Sequence, residues 1–366
     1  GSPALLRRVL RAALSAGASP AGPGEFTKRA FLNGKLTLTQ AEAVMDIISA
    51  GSQGAGRAAL ALRDGALYKK IRKITDDLTA LESHLAAWSD YPEEDVPELS
   101  DEAVSTVLKE ADAVLKRLIS TYDAGRIIRE GAVTVIAGKP NVGKSTLMNL
   151  LSGRDRSIVT SVAGTTRDVV EESVLVGDIP IRLLDTAGIH ETDDVVERIG
   201  VDMAQSALDR CDAVIAVFDS SAPLDDDDRS LIEKLKNRPV VAVINKSDLE
   251  KRADADYIKS HFEYCVTISA AKGDGEDEFR EALGKLLKTA ELDPAEPVMA
   301  NERQLDCARR GEKALSEGLE ALECKMTLDA VGICIETALD ALYELTGEKA
   351  SEAVIEQVFS RFCVGK

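Results

Sequence analysis

The segment Gly138-Lys139-Pro140-Asn141-Val142-Gly143-Lys144-Ser145 has the glycine spacing of a phosphate-binding loop. It follows the apolar, β-branched run 133–137 and precedes the helix-compatible stretch 146–151, so it lies where a strand gives way to a helix. Glycines let the backbone wrap closely around phosphate oxygens, with its N–H groups pointing inward. We expect Lys144 to contact the β and γ phosphates and Ser145 to bind Mg²⁺. The segment therefore predicts a P-loop nucleotide site.

Short β-branched runs alternate with helical stretches between about residues 130 and 290. The runs are Val133–Ala137, Ile179–Leu184, Ala213–Phe218, Val240–Ile244 and Cys265–Ile268. This alternation predicts a mostly parallel sheet with helices on both faces. Ligands of such sheets bind beyond the carboxyl ends of the strands, and the motifs discussed below follow these runs.

Helical patterns flank this zone on both sides. Apolar residues at alternating spacings of four and three predict a long bundle helix before it: Leu67, Ile71, Ile74, Leu78, Leu81, Leu85 and Trp88. A second helix is predicted with Val104, Val107, Ala111, Val114 and Leu118 on one face. After the α/β zone, Leu328, Val331, Ile335, Leu339, Leu342 and Leu345 recur at helical spacing, and Gly347 is a plausible stop. The economical interpretation is one α-helical bundle domain into which the α/β domain is inserted; two independent helical modules are the alternative.

Composition limits the classes of function. The formal net charge is -18, so the chain does not clamp nucleic acid over its whole face, although a local basic patch or a partner protein could still bring RNA to it. The longest apolar runs are too short to span a bilayer, and six scattered cysteines without a C-x-x-C pair favour free thiols in a reducing cytosol over a zinc site. Gly1-Ser2 resembles an expression scar, so we expect the natural N-terminus to be missing.

Three further motifs follow strands in an order that predicts guanine nucleotide binding. Asp185-Thr186-Ala187-Gly188 offers a carboxylate for Mg²⁺ through water and an amide for the γ phosphate. In Asn245-Lys246-Ser247-Asp248, the carboxylate of Asp248 can accept two hydrogen bonds from guanine that adenine cannot donate, and a buried carboxylate left unpaired would penalise ATP. Ser269-Ala270-Ala271 offers backbone N–H groups to the guanine carbonyl. We therefore expect GTP rather than ATP.

The segment Gly164-Thr165-Thr166-Arg167-Asp168 is predicted to be a switch, because a threonine there can complete the Mg²⁺ shell when the γ phosphate is present. Ile189 occupies the position where many GTPases place a water-orienting glutamine. Glu197 is the nearest candidate to replace it, although an ordinary exposed helix residue is an equal alternative. No arginine finger is obvious, apart from the open case of Arg167, and a monovalent cation held by Asn141 could supply the missing positive charge.

These motifs, with several others, resemble the MnmE (TrmE) family of tRNA-modification GTPases, here without the front of the N-terminal domain. The resemblance rests on Pro23 to Asn33, on the acidic break Asp90 to Glu94, on the switch motifs with Val196 to Gly200, and on the C-terminal Phe362-Cys363-Val364-Gly365-Lys366. It implies a P-loop GTPase domain inserted into a helical domain, with a remnant of an N-terminal α+β domain. The implied bounds are 1–35 for the remnant, 36–128 and 293–366 for the two parts of the helical domain, and 129–292 for the G domain.

The resemblance also implies roles for individual residues. Ser145 and Thr166 would hold Mg²⁺, and Asn141, Thr160, Val162 and Thr165 would hold K⁺. Glu197 would orient the attacking water, with Lys144 and Thr166 as the other catalytic residues. The predicted nucleotide site comprises Asn141, Val142, Gly143, Lys144, Ser145, Thr146, Thr160, Ser161, Val162, Ala163, Gly164, Thr165, Thr166, Asp185, Thr186, Ala187, Gly188, Asn245, Lys246, Asp248, Ser269, Ala270 and Ala271.

The activity implied by the resemblance is K⁺-stimulated GTP hydrolysis coupled to modification of C5 of the wobble uridine, U34, in tRNA. The implied partners are a FAD-dependent MnmG-type protein in a heterotetramer, tRNA, and a second copy of the chain, with K⁺-dependent dimerisation of G domains. A tetrahydrofolate derivative, in the 5-formyl or methylene form, would bind near Lys35 and Lys366. Cys363 is a candidate for the modification chemistry, with a buried structural thiol as the alternative. The implied location is the cytoplasm, with no membrane contact.

Two alternatives remain open from the residues alone. A ribosome-assembly GTPase of the Era or Der type would share the G-domain motifs, but no basic G-x-x-G loop of KH type follows residue 293. A non-catalytic, GTP-dependent scaffold would only switch partners when it binds the nucleotide. Comparing GTP hydrolysis with and without K⁺ would separate it from a K⁺-stimulated GTPase.

Overall fold

The computed structural model describes residues 2–90, 100–152, 170–176, 179–184, 208–289, 296–360 and 362–363. The helices before the first strand are α1 Pro3–Ser15, α2 Glu25–Leu32, α3 Leu38–Ser49, α4 Gln53–Arg63, α5 Ala66–Asp90, α6 Asp101–Ser120 and α7 Tyr122–Glu130. The α/β part contains β1 Ala132–Ala137, α8 Lys144–Ser152, β2 Val170–Val176, β3 Ile179–Leu184, β4 Ala213–Asp219, α9 Asp226–Leu235, β5 Val240–Asn245, α10 Ala255–His261, β6 Tyr264–Thr267 and α11 Glu276–Leu286. The helices after it are α12 Glu302–Glu323, α13 Leu328–Thr346 and α14 Glu352–Ser360.

The chain divides into two compact units. One combines Gly1–Ile48, Leu60–Ser120 and Met299–Lys366, and the other combines Ser49–Ala59 and Thr121–Val298. We call them the helical unit and the sheet unit. The sequence of the helical unit is thus interrupted by the sheet unit.

In its described residues, the sheet unit contains six strands in the order β2-β3-β1-β4-β5-β6. All neighbours run parallel except β2, which pairs antiparallel with β3 at one edge. The predicted mostly parallel sheet is therefore confirmed, and each of the five predicted runs forms a strand. The edge strand β2 is an addition that the sequence analysis did not include.

Both faces of the sheet are buried, as a parallel sheet covered by helices requires. Ile215 and Val217 of β4 and Val243 of β5 belong to the core on one face. Phe218 and Ala216, which alternate with them along the strand, belong to the core on the other face, with Ile258 of α10. Successive side chains along a strand point to opposite faces of the sheet. A continuously apolar run such as Ala213–Phe218 therefore contributes buried side chains to both cores.

The helical unit is built from helices on both sides of the interruption. Helix α12 packs on α13 and α6, and α13 packs on α5. In the predicted stripe of α5, every aliphatic residue from Leu67 to Leu85 is buried. In α6 the prediction was partly wrong: Leu108 and Leu115 are fully buried, whereas Val107 and Val114 are only half-buried. Helix α13 ends at Thr346 and is capped by Gly347, whose left-handed φ of 95° is the stop that the sequence predicted.

A buried ion pair joins three segments of the helical unit. The Arg303 guanidinium donates to both carboxylate oxygens of Glu42, at 3.0 and 2.8 Å, and to the backbone carbonyls of Glu344 and Leu345. The carboxamide of Gln304 also donates to Glu42, at 2.6 Å. Burial disfavours the charged guanidinium, but the Glu42 carboxylate outweighs it and raises the pKa of Arg303. Helix α3 and the start of α12 are thereby fixed to the end of α13.

Candidate nucleotide site

The phosphate loop joins the end of β1 to the start of α8. Two of its glycines adopt positive φ, 153° at Gly138 and 98° at Gly143, and Asn141 is left-handed at 63°. A Cβ at Gly138 would lie 2.5 Å from the backbone carbonyl oxygen of Val217 in β4. Only glycine fits that close approach, so the loop lies directly against the neighbouring strand.

Lys144, near the carboxyl end of the phosphate loop, reaches back to the start of the loop. Its ammonium donates to the carbonyl oxygens of Gly138 and Lys139, at 2.7 and 2.8 Å. Burial lowers the pKa of Lys144, because a desolvated ammonium lacks compensating charge. A bound phosphate would supply that charge. Ser145 and Thr146, in the first turn of α8, are exposed, so the Ser145 hydroxyl is accessible for the predicted contact with Mg²⁺.

Asn245 joins the phosphate loop to the segment predicted to face the base. Its side chain is buried, its Nδ2 donates to the carbonyl of Val142 at 2.9 Å, and its Oδ1 accepts from the N–H of Ala270 at 3.0 Å. A Cβ at Gly143 would collide with that Nδ2. Three predicted motifs, carried by β1, β5 and β6, therefore meet at one carboxamide.

Asp219 and Ser220, at the end of β4, were not among the predicted site residues. Asp219 accepts from the Lys246 ammonium at 2.5 Å and from the N–H and hydroxyl of Ser221. Burial opposes ionisation of Asp219, but Lys246 and Ser221 outweigh it and lower its pKa. Ser220 donates to the Lys246 carbonyl at 2.8 Å, which supports the left-handed backbone of Lys246 at φ 63°. The signal was available, because Asp219 directly follows a predicted buried strand.

Asp248 accepts a hydrogen bond from the buried hydroxyl of Ser269 at 2.8 Å. That bond lowers the pKa of Asp248 and keeps its carboxylate ionised. The side chain is exposed, in contrast to the buried carboxylate on which the argument for guanine selectivity was based. If Asp248 selects guanine as predicted, the bound base itself must cover the carboxylate. Ala271, which follows buried Ala270, is also exposed.

Several predicted residues lie outside the described residues. They are the switch and K⁺ residues Thr160, Ser161, Val162, Ala163, Gly164, Thr165 and Thr166, the motif Asp185, Thr186, Ala187 and Gly188, the predicted water-orienting Glu197, and Lys366. Their roles stay predictions.

In the helical unit, two segments of the family resemblance lie against each other. Gly24 is left-handed at φ 64°, and a Cβ there would lie 2.9 Å from Cβ of Phe362. The Gly24 N–H donates to the carbonyl of Cys363 at 3.3 Å. Phe362 packs with Leu38 in a small apolar cluster. The thiol of Cys363 and the side chain of Lys35 are exposed.

Within the described ranges, no helix combines the length and apolar character needed to cross a bilayer.

Comparison with known proteins places the chain in a family. The family model described as "MnmE helical domain" matches residues 38–363, and the one described as "GTP-binding protein TrmE N-terminus" matches residues 1–35. A tRNA modification GTPase MnmE from Acetivibrio thermocellus is 38% identical over 369 residues, which cover 100% of this chain and 80% of the relative. The protein of the same name from Natranaerobius thermophilus is 40% identical over 369 residues, with coverage of 99% and 80%.

Among solved structures, Aquifex aeolicus Era bound to GDP and AlF4⁻ shares 33% identity over 50% of this chain and 66% of its own, with a TM-score of 0.34. The family models and the relatives agree with the resemblance drawn from the motifs. Membership of this GTPase family implies an enzyme that binds GTP and Mg²⁺. The chain belongs to the MnmE family of tRNA modification GTPases.

Proposed function

We propose that this protein is a K⁺-stimulated GTP hydrolase that acts with a FAD-dependent MnmG-type partner, in the cytoplasm, to modify C5 of the wobble uridine U34 in tRNA. The observation that carries the nucleotide part is the junction at Asn245, where one buried carboxamide binds both the phosphate loop and the Ser269-Ala270-Ala271 segment. Family membership supports the tRNA part.

In this proposal the loop from Gly138 to Ser145 cradles the phosphates with its N–H groups, and Lys144 turns from the loop carbonyls toward the β and γ phosphates. Asp248 accepts from the guanine edge, and the N–H groups of Ala270 and Ala271 face the guanine carbonyl. Since the Ala270 N–H already donates to Asn245, Ala271 is the freer donor of the two.

The residues present suit the two cations. Ser145 is an exposed hydroxyl beside Lys144, and hydroxyl oxygens are ligands that Mg²⁺ accepts; Thr166 would be its second protein ligand. Asn141 is exposed in the left-handed conformation and carries a neutral oxygen suited to K⁺, with Thr160, Val162 and Thr165 as the other predicted ligands. When bound, these ions would stabilise the negative charge that develops during phosphoryl transfer.

Glu197 is assigned the orientation of the attacking water, by its position in the family pattern. Gly24, Lys35, Cys363 and Lys366 would contribute to a second site, where the exposed ammonium of Lys35 suits a carboxylate of a tetrahydrofolate derivative. Homodimerisation, and K⁺-dependent contact between G domains, complete the proposal.

The hydrolysis arm is tested by steady-state GTP turnover in matched KCl and NaCl buffers. We expect faster turnover in K⁺, because the cation replaces an arginine. Glu197→Ala should reduce kcat by about a hundredfold or more while GTP affinity is retained. Glu233→Ala, at an exposed position on α9, is the control. Equal rates in both salts would contradict the role of K⁺, and unchanged turnover in Glu197→Ala would exclude its assigned role.

The tRNA arm is tested by mass spectrometry of the wobble nucleoside from cells with and without the gene. We expect the C5-modified uridine to disappear on deletion and to return when the wild-type gene is supplied. Its persistence would contradict the proposed substrate, whatever the hydrolysis rate.

A further inference from the structure

Lys139, the second residue of the phosphate loop, forms a bridge to the helix that follows β4. Its ammonium lies 2.6 Å from a carboxylate oxygen of Asp225 and 2.7 Å from one of Asp228. The Lys139 side chain is 24% exposed and that of Asp228 only 6%. The pair with Asp228 is therefore largely withdrawn from solvent and screened less than an exposed salt bridge, whereas the side chain of Asp225 is 56% exposed.

The two acceptors are themselves fixed. Asp225 is the N-cap of α9, and Asp228 is the third residue of the helix. Each side chain accepts from the other's backbone N–H, at 3.1 and 3.2 Å, which forms a capping box. The Lys139 ammonium therefore docks on a preformed, doubly acidic helix start.

The main chain and the side chain of Lys139 contact different partners. The carbonyl of Lys139 accepts from the Lys144 ammonium at 2.8 Å, while its side chain holds α9. On its other side, Gly138 lies against the carbonyl of Val217 in β4. The Lys139 bridge to α9 and the Asn245 hydrogen bond to Val142 therefore hold the loop at two separate residues.

We propose that Lys139 is a positioning residue for nucleotide binding: its bridge to Asp225 and Asp228 keeps the first turn of the phosphate loop in the shape that receives the phosphates. The inference rests on the proposed function, since it assumes that this loop binds GTP and GDP. It assigns the charge of Lys139 to the α9 carboxylates, and not to the nucleotide.

A competing explanation makes an opposite prediction. If Lys139 attracted the phosphates directly, removing the negative charge of Asp228 would leave more positive charge for the nucleotide, and affinity would rise or stay constant. If Lys139 positions the loop, Asp228→Asn weakens the bridge, and affinity falls. The sign of the Asp228→Asn effect therefore separates the two explanations.

The experiment measures the Kd and dissociation rate of a fluorescent GDP analogue with the full chain. We expect Lys139→Met and Asp228→Asn each to weaken binding, by about tenfold for the lysine variant, mainly through faster dissociation. Lys139→Arg should remain close to wild type, because a guanidinium can also meet two carboxylates. Asp226→Asn is the matched control, since Asp226 is an exposed carboxylate in the same turn of α9.

The double variant Lys139→Met/Asp228→Asn gives an independent readout. If the two residues act through one bridge, it loses little more affinity than the weaker-binding single variant. The carboxamide that Asp228→Asn introduces retains an oxygen for the Asp225 N–H, so the helix cap is preserved, and thermal unfolding without nucleotide checks this. A variant that melts lower without losing affinity would count against positioning of the loop.

The outcomes are distinguishable. If the wild-type protein binds neither GDP nor GTP, the proposed function itself fails. If it binds them, but Asp228→Asn binds equally well or more tightly, or the two single effects multiply, only the role of Lys139 is overturned. An equal loss in Asp226→Asn would also overturn it, because the effect would then reflect general charge near the helix start.

Discussion

Replacing Asn245 with alanine removes both hydrogen bonds that join the phosphate loop to Ser269-Ala270-Ala271, the segment proposed to face the base. The carbonyl of Val142 and the N–H of Ala270 would then be left without these partners in a buried environment. A buried polar group without a partner costs about 1–3 kcal/mol. With some entry of water, we expect a total of about 2–3 kcal/mol. Because the free loop can relax away from Ala270 and GDP binding must restore the arrangement, this cost appears as a roughly 30- to 150-fold loss of nucleotide affinity.

Isothermal titration of GDP into the wild-type and Asn245→Ala proteins measures this loss. Asn149→Ala makes the same chemical change at an exposed position of α8 in the same unit, so it should bind GDP like the wild type. Asn245→Ala that bound GDP within twofold of the wild type would refute the reasoning. It would mean that the loop and the base-facing segment hold their positions without the carboxamide.

Three further predictions concern pH and packing. Ser269 lowers the pKa of Asp248 below its ordinary 3.8, so the wild type should keep an ionised Asp248, and its GDP affinity, until the pH falls through that lowered pKa. Ser269→Ala should lose GDP affinity at a higher pH, so the ratio of the two Kd values should change with pH. A ratio that stays constant with pH would contradict this. Leu78→Ala, at a fully buried position of α5, should lower the free energy of unfolding of the helical unit by about 2–5 kcal/mol. Urea unfolding can be monitored by the fluorescence of the single tryptophan of the chain, which lies in α5, and a change below about 1 kcal/mol would contradict the packing. Glu42→Ala should cost about 3 kcal/mol, because it leaves the largely buried Arg303 guanidinium, 17% exposed, without its carboxylate. The same unfolding assay would show a negligible change if the pair were dispensable.

Most of the fold was predictable because its signals are local. The β-branched run 240–244 needs only strand length and composition to be assigned, and the structure extends it by one residue to Asn245. Gly347 ended α13 as predicted, since a left-handed cap is a property of one residue. The assignment failed where tertiary packing decides: in α6, the spacing allowed either Val107 or Leu108 to face the core, and the structure selects the leucine.

The site was predictable as a set of motifs but not as a set of contacts. Each motif at a strand end has a recognisable composition, so Asn245 and Ala270 could be nominated from sequence. Their joint hydrogen bond, and the bridge from Lys139 to α9, connect residues 25 and 86 positions apart in the chain, and no local pattern encodes such pairing. The exposure of Asp248 is equally non-local, because it depends on what surrounds the loop.

The interrupted helical unit has a consequence for biosynthesis. Helices α5 and α6 leave the ribosome long before α12 and α13, the helices on which they pack. About 180 residues separate the two halves, and at 5–20 residues per second their translation takes roughly 10 to 35 s. During that interval the sheet unit can complete its own folding. The apolar stripe of α5, from Leu67 to Leu85, stays exposed to solvent until α13 has been synthesised and packs on it. Chaperone binding and early proteolysis of nascent chains should therefore concentrate on α5 and α6, even though apolar residues of both helices are buried in the finished molecule.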